Sequence, residues 1–249
     1  MKISVITVCR NSERTIAHTI KSFLAQTHAD KEMVVIDGCS SDHTLDVIRS
    51  FGAPSIRIFS EPDNGIYDAM NKGLRLYEGD ACGFLNSDDV FHDASVLDRI
   101  AAGLMNADVV YGDVLFVNNQ IEKRRVRLWR AGAYTRGCFR YGWLPPHPTF
   151  YIRRELADAV GPFDLSYGLS SDYDYMLRAM EVQAPRVQYV PDILVDFMHG
   201  GSTTETPLRY ITGNLLCLRS RRRHIQAPLV DLALFLKPLR KAHQFRWLR

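Results

Sequence analysis

The sequence predicts an α/β fold, a mostly parallel sheet flanked by helices. Three observations carry this. Through residues 1–115, short apolar runs alternate with segments whose apolar residues recur at helical spacing. Several of those runs stop abruptly on polar residues. The 249-residue chain, 46% hydrophobic and 24% charged, has the make-up of a globular protein and the length of one large domain or one domain with an appendage. Strands alternating with helices imply right-handed crossovers and a helix-covered parallel sheet.

In order, residues 3–8 (ISVITV) read as a buried strand. Ser12 is placed to cap a helix that presents Ile16, Ile20, Phe23 and Leu24. Residues 32–37 form a second strand, and Asp42 is placed to cap a helix through Leu45 and Ile48. A short strand at 56–59 precedes a helix near 66–77 with Ile66, Met70, Leu74 and Tyr77 on one face. Residues 81–86 are a fourth strand, 95–105 a helix and 108–114 a further strand. The second half is less regular. Asn118-Asn119 suggests a hairpin turn, 153–160 a helix stopped by Gly161-Pro162, and Ser171 to Glu181 another helix. Residues 187–197 suggest a strand broken by Pro191. No repeat or low-complexity linker divides 1–206, which is read as one domain, its halves meeting near residue 115.

Charge is unevenly spread over a net of +3. Residues 207–249 hold ten Lys/Arg against the single acid Asp231, whereas the preceding residues carry a net of −6. The expectation is an acidic body with a basic, helical, amphipathic tail. The cysteines Cys9, Cys39, Cys82, Cys138 and Cys217 are odd in number, scattered and without a C-x-x-C pair, which argues against a disulfide framework or structural zinc and fits a reducing compartment. Arg10 and Asn11 cut the N-terminal apolar run too short for a signal peptide, and no run approaches the ~20 apolar residues that span a bilayer. A cytoplasmic location is expected, on these grounds.

In parallel sheets, ligands bind beyond the carboxyl ends of the strands. That singles out Arg10-Asn11, Asp37, and Asn86-Ser87-Asp88-Asp89. Adjacent carboxylates at a strand end repel unless a cation sits between them, and Mg²⁺ or Mn²⁺ suits such a pair together with a substrate phosphate; the same residues also suit a plain turn. Asp37 is placed to accept an N–H from a pyrimidine base or to close an ordinary strand-to-helix loop. Asp68, Asn71 and Lys72 share a helix face, where Lys72 is placed to meet a diphosphate or to pair with Asp68. Asp172 and Asp174 stand at a helix start, where a carboxylate is either a capping group or a general base. His147 is fixed between Pro146 and Pro148. His199, before Gly200-Gly201, is a metal-ligand candidate or a solvated side chain.

Taken together, the segments ISVITVCRNSERTIAHTIKSFLAQT, VVIDGCSSDHTLDVI, SEPDNGIYDAMNKGL, EGDACGFLNSDD, PHPTFYIRRELADAVGPFD and SSDYDYMLR resemble, in that order, the family 2 glycosyltransferases of the GT-A (Rossmann-like) fold. The resemblance spans about residues 1–203, and EPDNGIYDAMNKG resembles the subgroup that builds bacterial O-antigens, capsules and exopolysaccharides. It implies a metal-dependent enzyme, using Mn²⁺ or Mg²⁺, that moves a sugar from a nucleotide-sugar donor to a glycan or lipid-linked acceptor. Asp37 would contact the base, Asp88 and Asp89 would take the place of the D-x-D element beside metal and ribose, and Asp172 would be the catalytic base. Arg10, Asp68 and Lys72 are further donor-side candidates, His147 an acceptor-side one, and His199 a third metal ligand. Asn86 stands where the family usually has an acid, leaving the metal work to Asp88 and Asp89; Ser171 replaces a common Glu.

Rival readings are a polyprenyl-phosphate sugar synthase, a sugar nucleotidyltransferase and a non-catalytic carbohydrate-binding protein. The nucleotidyltransferase would want a glycine-rich loop after the first strand, and residues 9–13 contain no glycine. Residues 219–249 suit an anionic bilayer surface, a second subunit forming a homodimer, or packing on their own domain. Nucleic acid is not expected as a partner, because the basic residues cluster in one tail.

Overall fold

The computed structural model describes residues 1–118, 124–198 and 207–225. Strands β1 (Ile3–Cys9), β2 (Lys31–Asp37), β3 (Ile56–Ser60) and β4 (Ala81–Phe84) lie in the order β3-β2-β1-β4, all parallel. Helices α1 (Ile16–Leu24), α2 (Thr44–Ser50) and α3 (Ile66–Leu76) form the crossovers. Every residue of β1 is buried, as expected of a central strand covered on both faces.

Alternation along the strands divides the core in two. Ile6, Val8, Val34 and Ile36 face one layer, with Met70 of α3. Ile3, Val5, Met33 and Val35 face the other, with Ile16, Ile20 and Phe23 of α1.

The second half completes a nine-stranded sheet. It adds β5 (Val90–Phe91), α4 (Val96–Leu104), β6 (Val109–Val117), β7 (Arg125–Trp129), β8 (Tyr151–Arg153), α5 (Arg154–Val160), α6 (Ser171–Leu177) and β9 (Val187–Met198). Here the pairing is mixed. β8 runs antiparallel between β4 and β6, β9 is parallel to β6, and β5 and β7 pair antiparallel with β9 and β6. Pro191 does not interrupt β9. Register shifts opposite Tyr111, Asp113 and Val114 absorb it as a bulged stretch instead. Asn118 closes the start of the β6–β7 connection by accepting the Arg124 N–H at 2.9 Å. α6 continues into one wider turn, Arg178–Val182, which carries the predicted helix to its expected end.

Two predicted caps act differently. The Ser12 carbonyl, rather than its hydroxyl, receives the Thr15 and Ile16 amides, while the Ser12 hydroxyl reaches Ser87 at 2.9 Å. Asp42 does hold the start of α2, accepting the Thr44 N–H at 3.0 Å and the Glu13 N–H at 3.2 Å.

The first part of the basic segment forms α7 (Pro207–Ile225), which packs on α6. Asp174, wholly buried, accepts the Ser220 hydroxyl at 2.7 Å and the Arg178 Nε–H at 2.8 Å, and lies 3.2 Å from His224 Nε2. Arg221 is 1% exposed and donates to the Tyr173 hydroxyl at 3.0 Å. Residues 219–225 therefore belong to the packed body, the reading in which the tail docks on its own domain. The rest of the segment, 226–249, lies outside the described residues. No helix among the described residues is long and apolar enough to cross a membrane.

Replacing Asp174 by Ala removes the buried carboxylate that pairs with the partly buried Arg178 and leaves the buried Ser220 hydroxyl without its acceptor. The expected loss is about 1.5–3 kcal/mol in urea unfolding, together with faster amide exchange along α7. An unchanged unfolding midpoint rules out this anchor.

Candidate active site

The carboxyl edge of the parallel strands is laced together by short polar side chains. After β1, the Asn11 N–H donates to Ser40 Oγ at 2.8 Å and Asn11 Oδ1 accepts the Ser41 N–H at 2.9 Å. Asn11 and Cys39 both adopt positive φ, at 52° and 55°, conformations that a side chain visits only when its surroundings impose them. The Ser12–Ser87 contact joins this loop to the Asn86–Asp89 turn, and Thr19 Oγ1 donates to the Asp89 carbonyl at 2.7 Å. Arg10, Asp37 and Asp88-Asp89 thus share one edge.

Their environments differ. Asp37 is wholly buried; its carboxylate accepts the Ser40 N–H at 3.1 Å and the Ser60 hydroxyl at 2.6 Å, and also takes the Ser40 hydroxyl and Cys9 thiol. Donors from β1, β3 and the loop after β2 engage both oxygens and hold the carboxylate at the strand end where the sequence places it. Next to it, a Cβ on Gly38 would lie 2.3 Å from Asp63 Oδ2 and 3.5 Å from Arg10 Cδ. The bare glycine lets Asp63, the half-buried residue before Asn64-Gly65, and the exposed Arg10 close over this edge. Asp63 received no role in the sequence reading, because only folding brings residue 63 against residue 38.

Asp89 is wholly buried, its Oδ1 accepting the Met198 N–H at 3.0 Å and its Oδ2 the Asn86 amide at 3.3 Å. Burial first, and the neighbouring Asp88 charge next, hold its carboxyl well above the usual range. Burial likewise raises Asp88, which keeps partial exposure. Two carboxyls that disfavour each other's ionisation in a dry turn suit a hard divalent cation, completed by phosphate oxygens and water. Asp88 is the more accessible of the two, and Asp89 ties the turn to the end of β9. His199 lies outside the described residues, and among those described no group of three His, Cys, Asp or Glu gathers.

Asp68 and Lys72 of α3 part company. Asp68 accepts the Asn64 N–H at 2.9 Å. Lys72, 9% exposed, pairs with Glu61 at 3.0 Å and donates to the Pro62 carbonyl. The predicted Asp68–Lys72 contact is replaced by this one, because the loop before α3 folds back over the helix.

Asp172 enters at the first turn of α6, half-buried, with its Oδ1 accepting the Tyr173 N–H at 2.7 Å. His147 stacks on Phe84 at 5.3 Å, at the end of β4, and meets the edge of Phe163 at 6.0 Å. Burial lowers the His147 pKa, partly opposed by the Asp172 charge, and its Nε2 is buried without a hydrogen-bond partner. Burial thus disfavours the imidazolium form of His147. Tyr67 of α3 donates its hydroxyl to the Leu169 carbonyl, just ahead of α6, at 3.4 Å. Neither Tyr67 nor Phe163 stood out in the sequence, where both look like ordinary apolar packing.

Comparison with known proteins agrees with this architecture. The sequence profile described as glycosyl transferase family 2 matches residues 4–163. A PGL/p-HBAD biosynthesis glycosyltransferase of Mycobacterium bovis is 30% identical over 210 residues, covering 82% of this chain and 79% of that protein. An uncharacterised glycosyltransferase of Nostoc sp. is 38% identical over 184 residues, covering 66% of this chain and 54% of that one. Among solved structures, Staphylococcus aureus TarS 1–349 in complex with UDP-GlcNAc has a TM-score of 0.71 at 19% identity, over 94% of this chain and 72% of that chain. The mannosyltransferase PcManGT from Pyrobaculum calidifontis, in complex with GDP-Man and Mn²⁺, has a TM-score of 0.66 at 18% identity, over 98% and 69%. At such identities the solved structures speak to the fold, which is of the GT-A type, while the profile match over most of the chain speaks to descent: this protein belongs to glycosyl transferase family 2.

Proposed function

We propose that the protein is an inverting glycosyltransferase that moves a sugar from a nucleotide-sugar donor, UDP-linked, to a hydroxyl of a glycan or lipid-linked glycan in surface polysaccharide synthesis. The observation that carries this reading is Asp172. It is a half-buried carboxylate at a helix start, near His147, whose buried ring stacks on the end of β4, two residues before the Asn86–Asp89 turn. The UDP-GlcNAc complex of TarS and the GDP-Man and Mn²⁺ complex of PcManGT support a nucleotide-sugar donor and a divalent metal. The mycobacterial relative, a PGL/p-HBAD biosynthesis glycosyltransferase, supports glycosyl transfer in a biosynthetic pathway.

In this reading the acceptor oxygen attacks the anomeric carbon as the bond to the nucleoside diphosphate breaks. Asp172 takes the acceptor proton. A single displacement inverts the anomeric configuration. Arg10, Asp37, Asp68, Lys72 and Asp88 border the donor, Asp37 on the side of its base, and His147 positions the acceptor. A divalent cation at Asp88 and Asp89 would supply Lewis-acid neutralisation of the charge on the leaving diphosphate. Holding both reactants in line contributes about 7–11 kcal/mol, and a positioned base about 10²–10⁴-fold in rate.

Two measurements test this. Asp172→Asn is expected to bind UDP as the wild type does, by calorimetry, and to transfer sugar about 10²–10⁴-fold more slowly; transfer at the wild-type rate overturns the base assignment. Chelation is expected to stop nucleotide release from a UDP-sugar, with Mn²⁺ or Mg²⁺ restoring it, and Asp88→Asn to raise the metal concentration needed for half-restoration. Undiminished turnover in excess chelator would remove the metal from the reaction.

A further inference from the structure

We propose that the outer face of α7, with the turn Leu165–Ser170 beside it, docks on an anionic bilayer and so brings a lipid-linked acceptor to Asp172; the acceptor rests on the function proposed above, the docking does not. Among the described residues eight large apolar side chains are exposed, and four of them lie here: Leu165 at 47%, Leu169 at 38%, and Ile211 and Leu215 at 55% each. From residue 211 on, the exposed side chains of α7 are Ile211, Thr212, Leu215, Arg219, Arg222 and Arg223. At 3.6 residues per turn they fall within about 120° of arc. The opposite side buries Cys217, Leu218, Ser220 and Arg221. An ordinary surface helix turns its apolar residues inward and its charges outward. α7 buries a serine and an arginine while it turns Ile211 and Leu215 to solvent, so packing on the body does not account for these two.

Three ties hold α7 along the segment that leads into α6. The Ser170 hydroxyl donates to the Gly213 carbonyl at 3.1 Å, Arg219 lies 5.3 Å over the Tyr167 ring, and Arg223 donates to Asp164 at 3.3 Å. The first tie falls between Ile211 and Leu215 on one side and next to Leu169 on the other; Asp172 follows two residues later. The apolar side chains therefore stand at the end of α7 nearest the proposed base, and the arginines at the far end.

Charge selects the occupant. Residues 207–225 contain no Asp or Glu, so an isologous contact between two copies of α7 would bring no carboxylate to these arginines. Lipid phosphates would supply their counter-charge. Residues 226–249 continue the same chemistry in sequence, with five Lys/Arg against the single acid Asp231, together with Phe235, Phe245 and Trp247. With the leucines at the acyl boundary and the arginines at the phosphates, the lipid of the acceptor stays in the bilayer while its sugar reaches Asp172.

The experiment is vesicle flotation of the full-length protein, on mixed phosphatidylglycerol–phosphatidylcholine and on phosphatidylcholine alone, with sedimentation velocity beside it. The wild type is expected to float with the anionic vesicles, less so as salt rises. Ile211→Ser with Leu215→Ser is expected to lower the bound-to-free ratio about tenfold or more, at an unchanged urea midpoint because both side chains are exposed. Leu165→Ser with Leu169→Ser, on the adjoining turn, is expected to weaken flotation as well, and decides the matter if the first pair unfolds. Asp172→Asn is expected to float like the wild type, so the docking and the base assignment fail separately. A wild type that does not float, or that floats equally on phosphatidylcholine alone, overturns the docking and leaves the transferase reading with a soluble acceptor. Undiminished flotation of the folded variants overturns it too, by assigning the binding to residues 226–249 alone. So does a dimer, in place of flotation, that the same substitutions dissociate.

Discussion

The geometry of the site depends on the packing of Phe163. Its ring meets Tyr67, Phe84, His147 and Tyr175, which come from α3, the end of β4, the turn before β8 and α6. Its main chain is held on both sides by the Asn71 amide. Each aromatic pair contributes about 0.5–1.5 kcal/mol beyond the apolar area it buries. More important than the sum is that tilted, edge-on and stacked rings tolerate little sliding, so four elements distant in sequence are fixed against one another. The relation between the strand edge and α6 follows from that lock.

Around this plug the acidic residues divide by environment. Asp37, Asp89 and Asp174 are wholly buried, and each accepts hydrogen bonds from an element distant in sequence: Ser60 of β3, the Met198 amide at the end of β9 and Ser220 of α7. Asp88 and Asp172 keep partial exposure. A buried carboxylate depends on protein donors, whereas a half-exposed one is also solvated by water. Neighbouring acids in the chain, Asp88 with Asp89 and Asp172 with Asp174, therefore sit in different environments. Adjacent strand-end residues point in different directions, and residues two apart in a helix face about 200° apart.

The second half shows why a parallel sheet alone would not make this cleft. β8 turns against β4 and β6 in the antiparallel sense, delivering His147 just ahead of it to the end of β4. β9 returns beside β6 and ends at Asp89. α6 is backed by α7. Part of the sequence's basic tail is thus scaffold for α6, with Arg221 buried against Tyr173 and Ser220 against Asp174.

How much of this was legible in the chain depends on the range of each interaction. The strands and helices of residues 1–115 were readable because local periodicity follows from backbone geometry, and the strand-end groups Arg10, Asp37 and Asp88-Asp89 because a parallel sheet gathers its carboxyl ends. The motif order marked Asp172 and His147 as well. Tyr67, Asp63, Asn71 and Phe163 were opaque, since such side chains have the same local pattern whether they face solvent or lock distant segments together. The sequence by itself determined the α/β order, the acidic strand edge and the family. Only the tertiary structure decided which carboxylates are buried as fasteners and which remain open, because solvation and hydrogen-bond saturation depend on neighbours from distant parts of the chain.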